Sequence, residues 1–235
     1  FNFKFKITTW NGGVDGFWNP DGITVLSDGT IVVVSRNTKK VIEFDSDGNY
    51  LRTLGGQGVF DGNMEWPQNV IKDQYDNIYV SDQNLNSITK FDENGEFVSV
   101  FKNPSPEECS LYSPTDVAYD SLGNMYVLDN DANGTARIQM WDTEGDCAGV
   151  VIPKGALSAY TYFIYFDSSN RMFITGDYNV RVFEFISNSW QQTHIFGDTV
   201  GEEPHSEPGH LQQARGIGVS SATGHVGHVY VSDLG

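Results

Sequence analysis

The stretch DNIYVSDQNLNSITKFDENGEF, residues 76–97, decides how the rest of the chain is interpreted. Apolar and polar residues alternate in residues 78–82 and again in residues 87–91, which is the period-two pattern of β-strands. Turn-forming residues separate these segments, and the DENG turn at residues 92–95 is a strong hairpin signal. The stretch therefore predicts two strands joined by a short loop, followed by a hairpin into a third strand.

The same pattern recurs at intervals of 47 residues. A proline precedes the first strand of three successive copies, at Pro20, Pro67 and Pro114. The second strand of successive copies begins at Ile31, Ile78, Met125 and Met172. The fourth copy carries Thr161 in place of the proline, and a fifth copy has a longer turn before its second strand. Each complete copy predicts four short strands, so the chain is a tandem repeat.

Four short antiparallel strands in a repeat of this length are the unit of a β-propeller blade. We therefore predict an all-β protein, a β-propeller of four-stranded antiparallel blades, as one domain over residues 1–235. The predicted segments are an outer strand of a closing blade at 1–11, blades at 12–54, 55–101, 102–152 and 153–197, and a partial blade at 198–235. About five blades are represented, and we expect the domain to be incomplete.

The repeated string P-x-x-[IV]-x-[VY]-x-x-x-G-x-[IM]-[YV]-V-x-D, followed by [IV]-x-x-[FW]-D-x-x-G, resembles the NHL repeat over essentially the whole chain. The second copy matches at Pro67, Asn77, Tyr79, Val80, Asp82, Ile88, Phe91, Asp92 and Gly95. The third copy matches at Pro114, Gly123, Tyr126, Val127, Asp129, Ile138, Trp141, Asp142 and Gly145. The fourth copy departs from the pattern with Gly176 and Ile186 in place of acids. NHL propellers usually have six blades, so the resemblance implies six blades in full.

The chain is strongly acidic, with 31 acidic and 14 basic residues and a formal net charge of −17. Such a surface repels nucleic-acid phosphates and anionic membrane surfaces, so we expect neither as a partner. Hydrophobic residues make up 39% of the chain, which is enough for a core. No apolar run approaches the ~18 residues of a membrane-spanning helix, so we expect no membrane insertion. The charge serves solubility or attracts cations and basic partners.

Two features bear on covalent chemistry and compartment. Cys109 and Cys147 allow one disulfide or none, and a bond between them requires the joining loop before the third blade to fold down the side of that blade. The single sequon, NGT at Asn133, is a candidate glycosylation site. Together they favour an extracellular or cell-surface location.

The segment DNDANG, residues 129–134, is the most distinctive departure from the repeat. Asp129, Asp131 and Asn133 at alternate positions before Gly134 match the start of a calcium loop. The twelfth position is Met140 and not a bidentate glutamate, which excludes a complete EF-hand. The alternative is that Asp129 is the ordinary aspartate of the repeat and that the remaining residues form a solvated turn.

The first strands offer a second candidate metal site. One residue precedes the apolar part of each first strand, at Gly22, Asn69, Asp116, Phe163 and Gly216. Asn69 and Asp116 would approach the propeller axis, where ring-shaped lactonases bind calcium. The resemblance to the NHL family also implies a zinc possibility, because the family includes zinc-dependent peptide-amidating lyases with ligands in the channel. The histidines from which zinc ligands would come are His194, His205, His210, His225 and His228, and they give no complete ligand set.

The main functional prediction is a non-catalytic extracellular module for protein interaction or assembly, such as a subunit of a larger structure or filament. Such a module requires no cofactor, although the candidate metal positions fit calcium. Its partner is another protein or a second copy of the chain. Loops between the second and third strands, together with those from one blade to the next, would form the binding face, at Arg36, Asn37, Gln83, Asn84, Asn130, Asp131, Asp177 and Tyr178. The alternative is a metal-dependent lyase or lactonase with a zinc or calcium site in the channel.

Overall fold

A computed structural model describes residues 19–58, 60–102, 109–130, 133, 135–157, 161–176, 178–197, 211, 214–220 and 228–233. In these ranges the regular structure consists of strands, and no α-helix occurs among them. The predicted outer strand at residues 1–11 lies outside them. The described residues form no helix long and apolar enough to cross a membrane.

Four sheets of four antiparallel strands and one sheet of two strands follow one another along the chain. The first sheet contains β1 (Pro20–Val25), β2 (Ile31–Ser35), β3 (Lys40–Phe44) and β4 (Tyr50–Leu54). The second contains β5 (Pro67–Lys72), β6 (Ile78–Asp82), β7 (Ser87–Phe91) and β8 (Phe97–Phe101). In each of these sheets the strands lie side by side in chain order.

The third sheet contains β9 (Pro114–Tyr119), β10 (Met125–Asn130), β11 (Ala136–Trp141) and β12 (Cys147–Ile152). The fourth contains β13 (Thr161–Phe166), β14 (Met172–Gly176), β15 (Asn179–Ile186) and β16 (Ser189–Gly197). The last sheet pairs β17 (Ala214–Val219) with β18 (Val229–Asp233). The all-β class and the four-stranded antiparallel blades of a β-propeller are therefore confirmed.

The turns between first and second strands show why the repeat folds in this way. One carboxylate oxygen of Asp73, Asp120 and Asp167 accepts backbone N–H groups two and four residues later, at 2.8–3.0 Å. The second and third turns also hold a tyrosine hydroxyl, Tyr79 on Asp73 and Tyr126 on Asp120. Burial raises the pKa of Tyr126, and the nearby Asp120 raises it further. A side-chain acceptor thus replaces the missing backbone partners in each turn.

A left-handed residue completes each of these turns at the same repeat position. Gly29, Asp76, Gly123 and Asn170 all have positive φ, between 61° and 92°. Glycine, asparagine and aspartate tolerate this region better than other residues. Asp76 and Asn170, which carry side chains, also contact the turn of the preceding blade. Asp76 accepts the N–H of Ser27 at 3.1 Å, and Asn170 Oδ1 accepts the N–H of Ser121 at 2.7 Å.

The chain divides into two compact units, and the first comprises Phe1–Pro104 and Ser110–Val117. Its core lies between the first two blades, in a cluster formed by Leu26, Val32, Val34, Val41, Leu54, Met64, Val70, Ile78, Val80 and Phe91. Asp76 accepts hydrogen bonds from the N–H and Oγ of Ser27 at 3.1 Å. The hydrogen bond from Lys72 holds the pKa of Asp76 below its usual value, and the bonds from Ser27 add to this effect. Polar contacts between turns therefore supplement the apolar core.

The second unit comprises Ser105–Cys109 and Ala118–Gly235. Its main core cluster contains Ala118, Tyr126, Leu128, Ala136, Ile138, Ile152, Leu157, Ile164, Phe166, Met172, Ile174 and Phe183. The ring of Trp190 packs edge-on against Tyr126, Phe166 and Phe185, with centroids 5.5–5.8 Å apart. A smaller cluster around Phe173 and Ala214 joins the fourth blade to the β17–β18 sheet.

A disulfide also lies within the second unit. Cys109 is bonded to Cys147, with their Cα atoms 6.1 Å apart. Because Cys147 begins β12, the residue before the third blade lies beside the start of that blade's last strand. Cys109 thus lies at the side of the blade, as such a bond requires.

Candidate functional site

The candidate site is formed by residues at the start of the first strands. Those of the first three blades, Gly22, Asn69 and Asp116, lie in the first unit. The ladder between first and second strands is interrupted there in four sheets, between Pro20 and Ile23, Pro67 and Val70, Thr161 and Phe163, and Ala214 and Gly216. A bulge of this kind turns a side chain out of the regular alternation and is frequent beside active sites. The sequence candidates Gly22 and Asn69 lie at these irregular positions.

Asn69 and Asp116 are in direct contact, and we refer to them as the Asn69–Asp116 pair. Asn69 Nδ2 donates a hydrogen bond to Asp116 Oδ1. The same carboxylate oxygen accepts the N–H of Val117 at 2.7 Å, and Asn69 Oδ1 accepts the N–H of Val70 at 2.8 Å. Asp116 is buried, whereas Asn69 is half-buried. A buried carboxylate requires such donors or a cation to offset its desolvation.

Gly22 explains how the first strand of the first blade lies so close to this pair. A Cβ atom built on Gly22 would overlap the side chain and the backbone of Asn69. Only glycine allows this approach of the two strands. The position that carries an amide in the second blade and a carboxylate in the third is therefore occupied by bare backbone in the first.

Ser81 holds the backbone behind the pair. Its Oγ accepts the N–H of Asn69 at 3.0 Å and donates to the carbonyl oxygen of Thr115 at 3.2 Å, and the side chain is fully buried. Ser81 is not among the site residues predicted from the sequence. The available signal was a hydroxyl at a repeat position that Val34 and Leu128 occupy in the neighbouring copies.

The pair matches the oxygen chemistry of a hard cation such as Ca²⁺, which takes 6–8 oxygen ligands. Within the described ranges, no group of three or more His, Cys, Asp or Glu side chains could hold a metal ion. The pair therefore accounts for a minority of the ligands. His194 and His228 belong to no such group, and His205, His210 and His225 lie outside the described residues.

The predicted calcium loop has a different arrangement at its first residue. The guanidinium of Arg137 donates to Asp129 Oδ2 through Nε at 3.1 Å and through Nη2 at 2.8 Å, and both side chains are buried. This ion pair compensates the charge that calcium would use. Asn133 is exposed, and Asp131 lies outside the described residues, so calcium binding and glycosylation here stay predictions.

The predicted binding face is partly described. Asn37 and Asn84 are exposed, while Asn130 and Tyr178 are half-buried, and Asp177 and Asp131 lie outside the described residues. Arg36 and Gln83 are connected through Gln68, which is not among the residues predicted for this face. Arg36 Nη2 donates to Gln68 Oε1 at 2.8 Å, and Gln68 Nε2 donates to Gln83 Oε1 at 2.7 Å.

Sequence comparisons find no relative for this chain. No known family model matches it, and no curated protein has a similar sequence. The NHL resemblance is therefore not shown by any family match.

Comparison with solved structures finds β-propellers. A streptogramin B lyase is 18% identical, with a TM-score of 0.58 over 83% of this chain and 59% of that one. Virginiamycin B lyase from Staphylococcus aureus is 16% identical, with a TM-score of 0.59 over 86% of this chain and 60% of that one. A gluconolactonase from Xanthomonas campestris is 12% identical, with a TM-score of 0.61 over 93% of this chain and 72% of that one. The chain thus spans about three fifths of the length of the lyases.

These similarities establish the fold as a β-propeller, but not the NHL family in particular. They also correct the main functional prediction, because the propellers named above are enzymes: two are lyases and one is a gluconolactonase. The non-catalytic interaction module is contradicted by this finding. The enzymatic alternative agrees with it better.

Proposed function

We propose that this chain is part of a metal-dependent propeller enzyme of the lyase or lactonase type, with its reaction centre at the Asn69–Asp116 pair. The contact of Asn69 Nδ2 with Asp116 Oδ1 carries the proposal, because it joins an amide and a buried carboxylate on two neighbouring first strands. The fold shared with a lyase and a gluconolactonase supports an enzyme over a binding module.

The ligand chemistry favours the lactonase over the lyase. A carboxylate oxygen suits Ca²⁺, whereas zinc sites in proteins are built mainly from cysteine and histidine. When bound, Ca²⁺ would supply a Lewis acid for an ester carbonyl. Asp116 would hold the ion through its carboxylate, and Asn69 would fix the orientation of that carboxylate. The overall reaction is hydrolysis. Water adds to the acyl carbon, the bond between that carbon and the ring oxygen breaks, and a hydroxy acid results.

Calcium binding and lactone hydrolysis test the proposal separately. We expect calorimetric titration with Ca²⁺ to show binding that Asp116→Asn weakens at least about tenfold, since one charge-bearing ligand is removed. Asp47→Asn, the same change at an exposed turn, should leave binding intact. Hydrolysis of aliphatic, aromatic and sugar lactones should be lost in excess chelator. Calcium affinity unchanged in Asp116→Asn would remove the pair from the site, and chelator-resistant hydrolysis would contradict the metal requirement.

We also propose that the repeats are of the NHL type. The support comes from Asp82, which is the aspartate that ends the string P-x-x-[IV]-x-[VY]-x-x-x-G-x-[IM]-[YV]-V-x-D in the second copy. Its carboxylate accepts the N–H groups of Glu65 and Trp66 at 2.7–3.1 Å and those of Asn84 and Leu85 at 3.0–3.1 Å. This residue joins the segment before the first strand to the loop after the second, which gives the repeat aspartate a structural function.

We propose further that the protein functions in an oxidising, extracellular environment. Disulfides such as Cys109–Cys147 form and persist mainly in secreted proteins. The exposed Asn133 of the sequon is consistent with the same route.

A further inference from the structure

A row of side chains crosses the first two blades in the first unit, and we call it the Trp66 platform. It consists of Asp21, Arg36, Trp66, Gln68 and Gln83. Arg36 forms an ion pair with Asp21 and donates to Gln68 Oε1 at 2.8 Å. Gln68 Nε2 then donates to Gln83 Oε1 at 2.7 Å. The row starts in the first blade and ends in the second.

The direction of this row is determined by its first donor. A guanidinium can only donate hydrogen bonds, so the atom of Gln68 that faces Arg36 must be the amide oxygen. The Gln68 NH₂ group must then face the oxygen of Gln83. It follows that Gln83 Nε2 is the terminal atom of the row, and it has no hydrogen-bond partner among the residues that the structure describes. A ligand that binds at this end would offer a hydrogen-bond acceptor, such as a hydroxyl oxygen.

Trp66 supplies an aromatic surface on a residue adjacent to Gln83. The N–H of Gln83 donates to the carbonyl oxygen of Trp66 at 3.1 Å, so the two residues are adjacent. The backbone of Trp66 is held by Asp82 at 3.0–3.1 Å, and the guanidinium carbon of Arg36 lies 5.8 Å from the ring centroid. The side chain nevertheless remains 36% exposed. An anchored aromatic surface, with an amide donor on an adjacent residue, suits a ring that is apolar on one face and hydroxylated at its edge.

The platform has no excess positive charge. Arg36 is paired with Asp21, and Lys39 Nζ is paired with Glu65 at 2.8 Å. The carboxylate of Asp82, which holds the Trp66 backbone, is a third acid beside these two cations. In a chain of net charge −17, nothing here would hold a phosphate or a carboxylate, so the platform does not favour an anionic ligand.

We propose that the Trp66 platform binds a neutral saccharide ring, with the C–H face of the ring on the indole and a hydroxyl oxygen accepting from Gln83 Nε2. This binding is independent of ester hydrolysis and goes beyond the proposed function. It requires no metal, because Trp66 and Gln83 supply the contacts. The saccharide would be held on the same blade that carries Asn69.

Saturation-transfer NMR with methyl glucoside, methyl galactoside and cellobiose tests the proposal. None of these probes contains an ester bond, so the outcome does not depend on lactonase activity. We expect saturation transfer to at least one probe, and Trp66→Ala should abolish it. Gln83→Glu should weaken binding about tenfold, because it still accepts from Gln68 but replaces the terminal donor with an acceptor.

Two controls keep the test decisive. Tyr75→Ala removes another exposed ring, 70% exposed in the turn after β5, and should leave saccharide binding unchanged. Denaturation midpoints of Trp66→Ala and Gln83→Glu separate loss of binding from loss of fold. The proposal is overturned if no probe shows transfer to the wild type, or if binding persists unchanged in folded Gln83→Glu. Preferential binding of an anionic probe such as glucuronate would also overturn it.

Discussion

Replacing Ser81 with alanine tests how the Asn69–Asp116 pair is supported. Ser81 Oγ accepts the N–H of Asn69 at 3.0 Å and donates to the carbonyl of Thr115 at 3.2 Å. A buried N–H that loses its partner costs about 1–3 kcal/mol. Because Asn69 is half-buried, water can replace part of the lost bond, and we expect about 1–2 kcal/mol of lost unfolding free energy. For a chain of this size that corresponds to a fall in Tm of roughly 2–8 °C.

Ser87→Ala is the matched control for this measurement. Ser87 lies in the same blade and is equally buried, but its Oγ has no hydrogen-bond partner in the described part of the chain. Removing a buried hydroxyl without a partner relieves a desolvation cost, so its unfolding free energy should stay unchanged or rise slightly. Both variants are compared by urea denaturation and by thermal circular dichroism.

The outcome for calcium completes the Ser81 test. If the pair is a cation site, Ser81→Ala should lower calcium affinity at temperatures where the variant is fully folded, whereas Ser87→Ala should not. Equal destabilisation by the two variants would show that the loss comes from the missing oxygen atom and not from its bonds. That result would refute the positioning role of Ser81.

Three further predictions concern covalent and electrostatic features. Cys109→Ser with Cys147→Ser should lower the unfolding free energy by about 2–5 kcal/mol, and reductant should then have no added effect in denaturant titrations; an unchanged midpoint would contradict a stabilising bond. Because the pKa of Asp76 is lowered by folding, its contribution is present above the unfolded pKa near 3.8 and is lost as pH falls through the folded pKa. The stability difference between wild type and Asp76→Asn should therefore shrink below about pH 4, and a difference constant with pH would argue against it. Secretion from eukaryotic cells should add a glycosidase-sensitive mass at Asn133 that Thr135→Ala abolishes, and an unmodified secreted product would exclude this site.

The sequence was sufficient for the blades because each copy carries its own local signals. Asp73 and Asp120 each accept N–H groups within the next four residues, so the turn that they stabilise is encoded locally. The repeat also indicated that Asn69 and Asp116 occupy equivalent places on neighbouring first strands, although it predicted an approach to the axis and not their direct contact. Position in the repeat therefore substituted for three-dimensional information.

Contacts between non-equivalent positions could not be predicted in this way. Arg36 and Gln68 are 32 residues apart and occupy different places in the repeat, so no periodicity relates them. The Arg137 guanidinium that compensates Asp129 lies on the facing strand, and the alternating oxygen-bearing residues of the calcium-loop pattern do not indicate that contact. In both cases the partner depends on which side chains two strands bring face to face.

The error in the functional prediction has a related physical cause. Catalytic motifs that can be recognised in a sequence place their residues close together on one loop or helix. A site built at the first strands of a propeller takes one residue from each blade, so its members are spaced by the repeat, as Asn69 and Asp116 are at 47 residues. Each member then looks like an ordinary variant of the repeat, and Asp116 in PTDVA does so. The absence of a local motif in a propeller is thus no evidence against catalysis, and the repeat position that varies in chemistry from blade to blade is the place to look for a site.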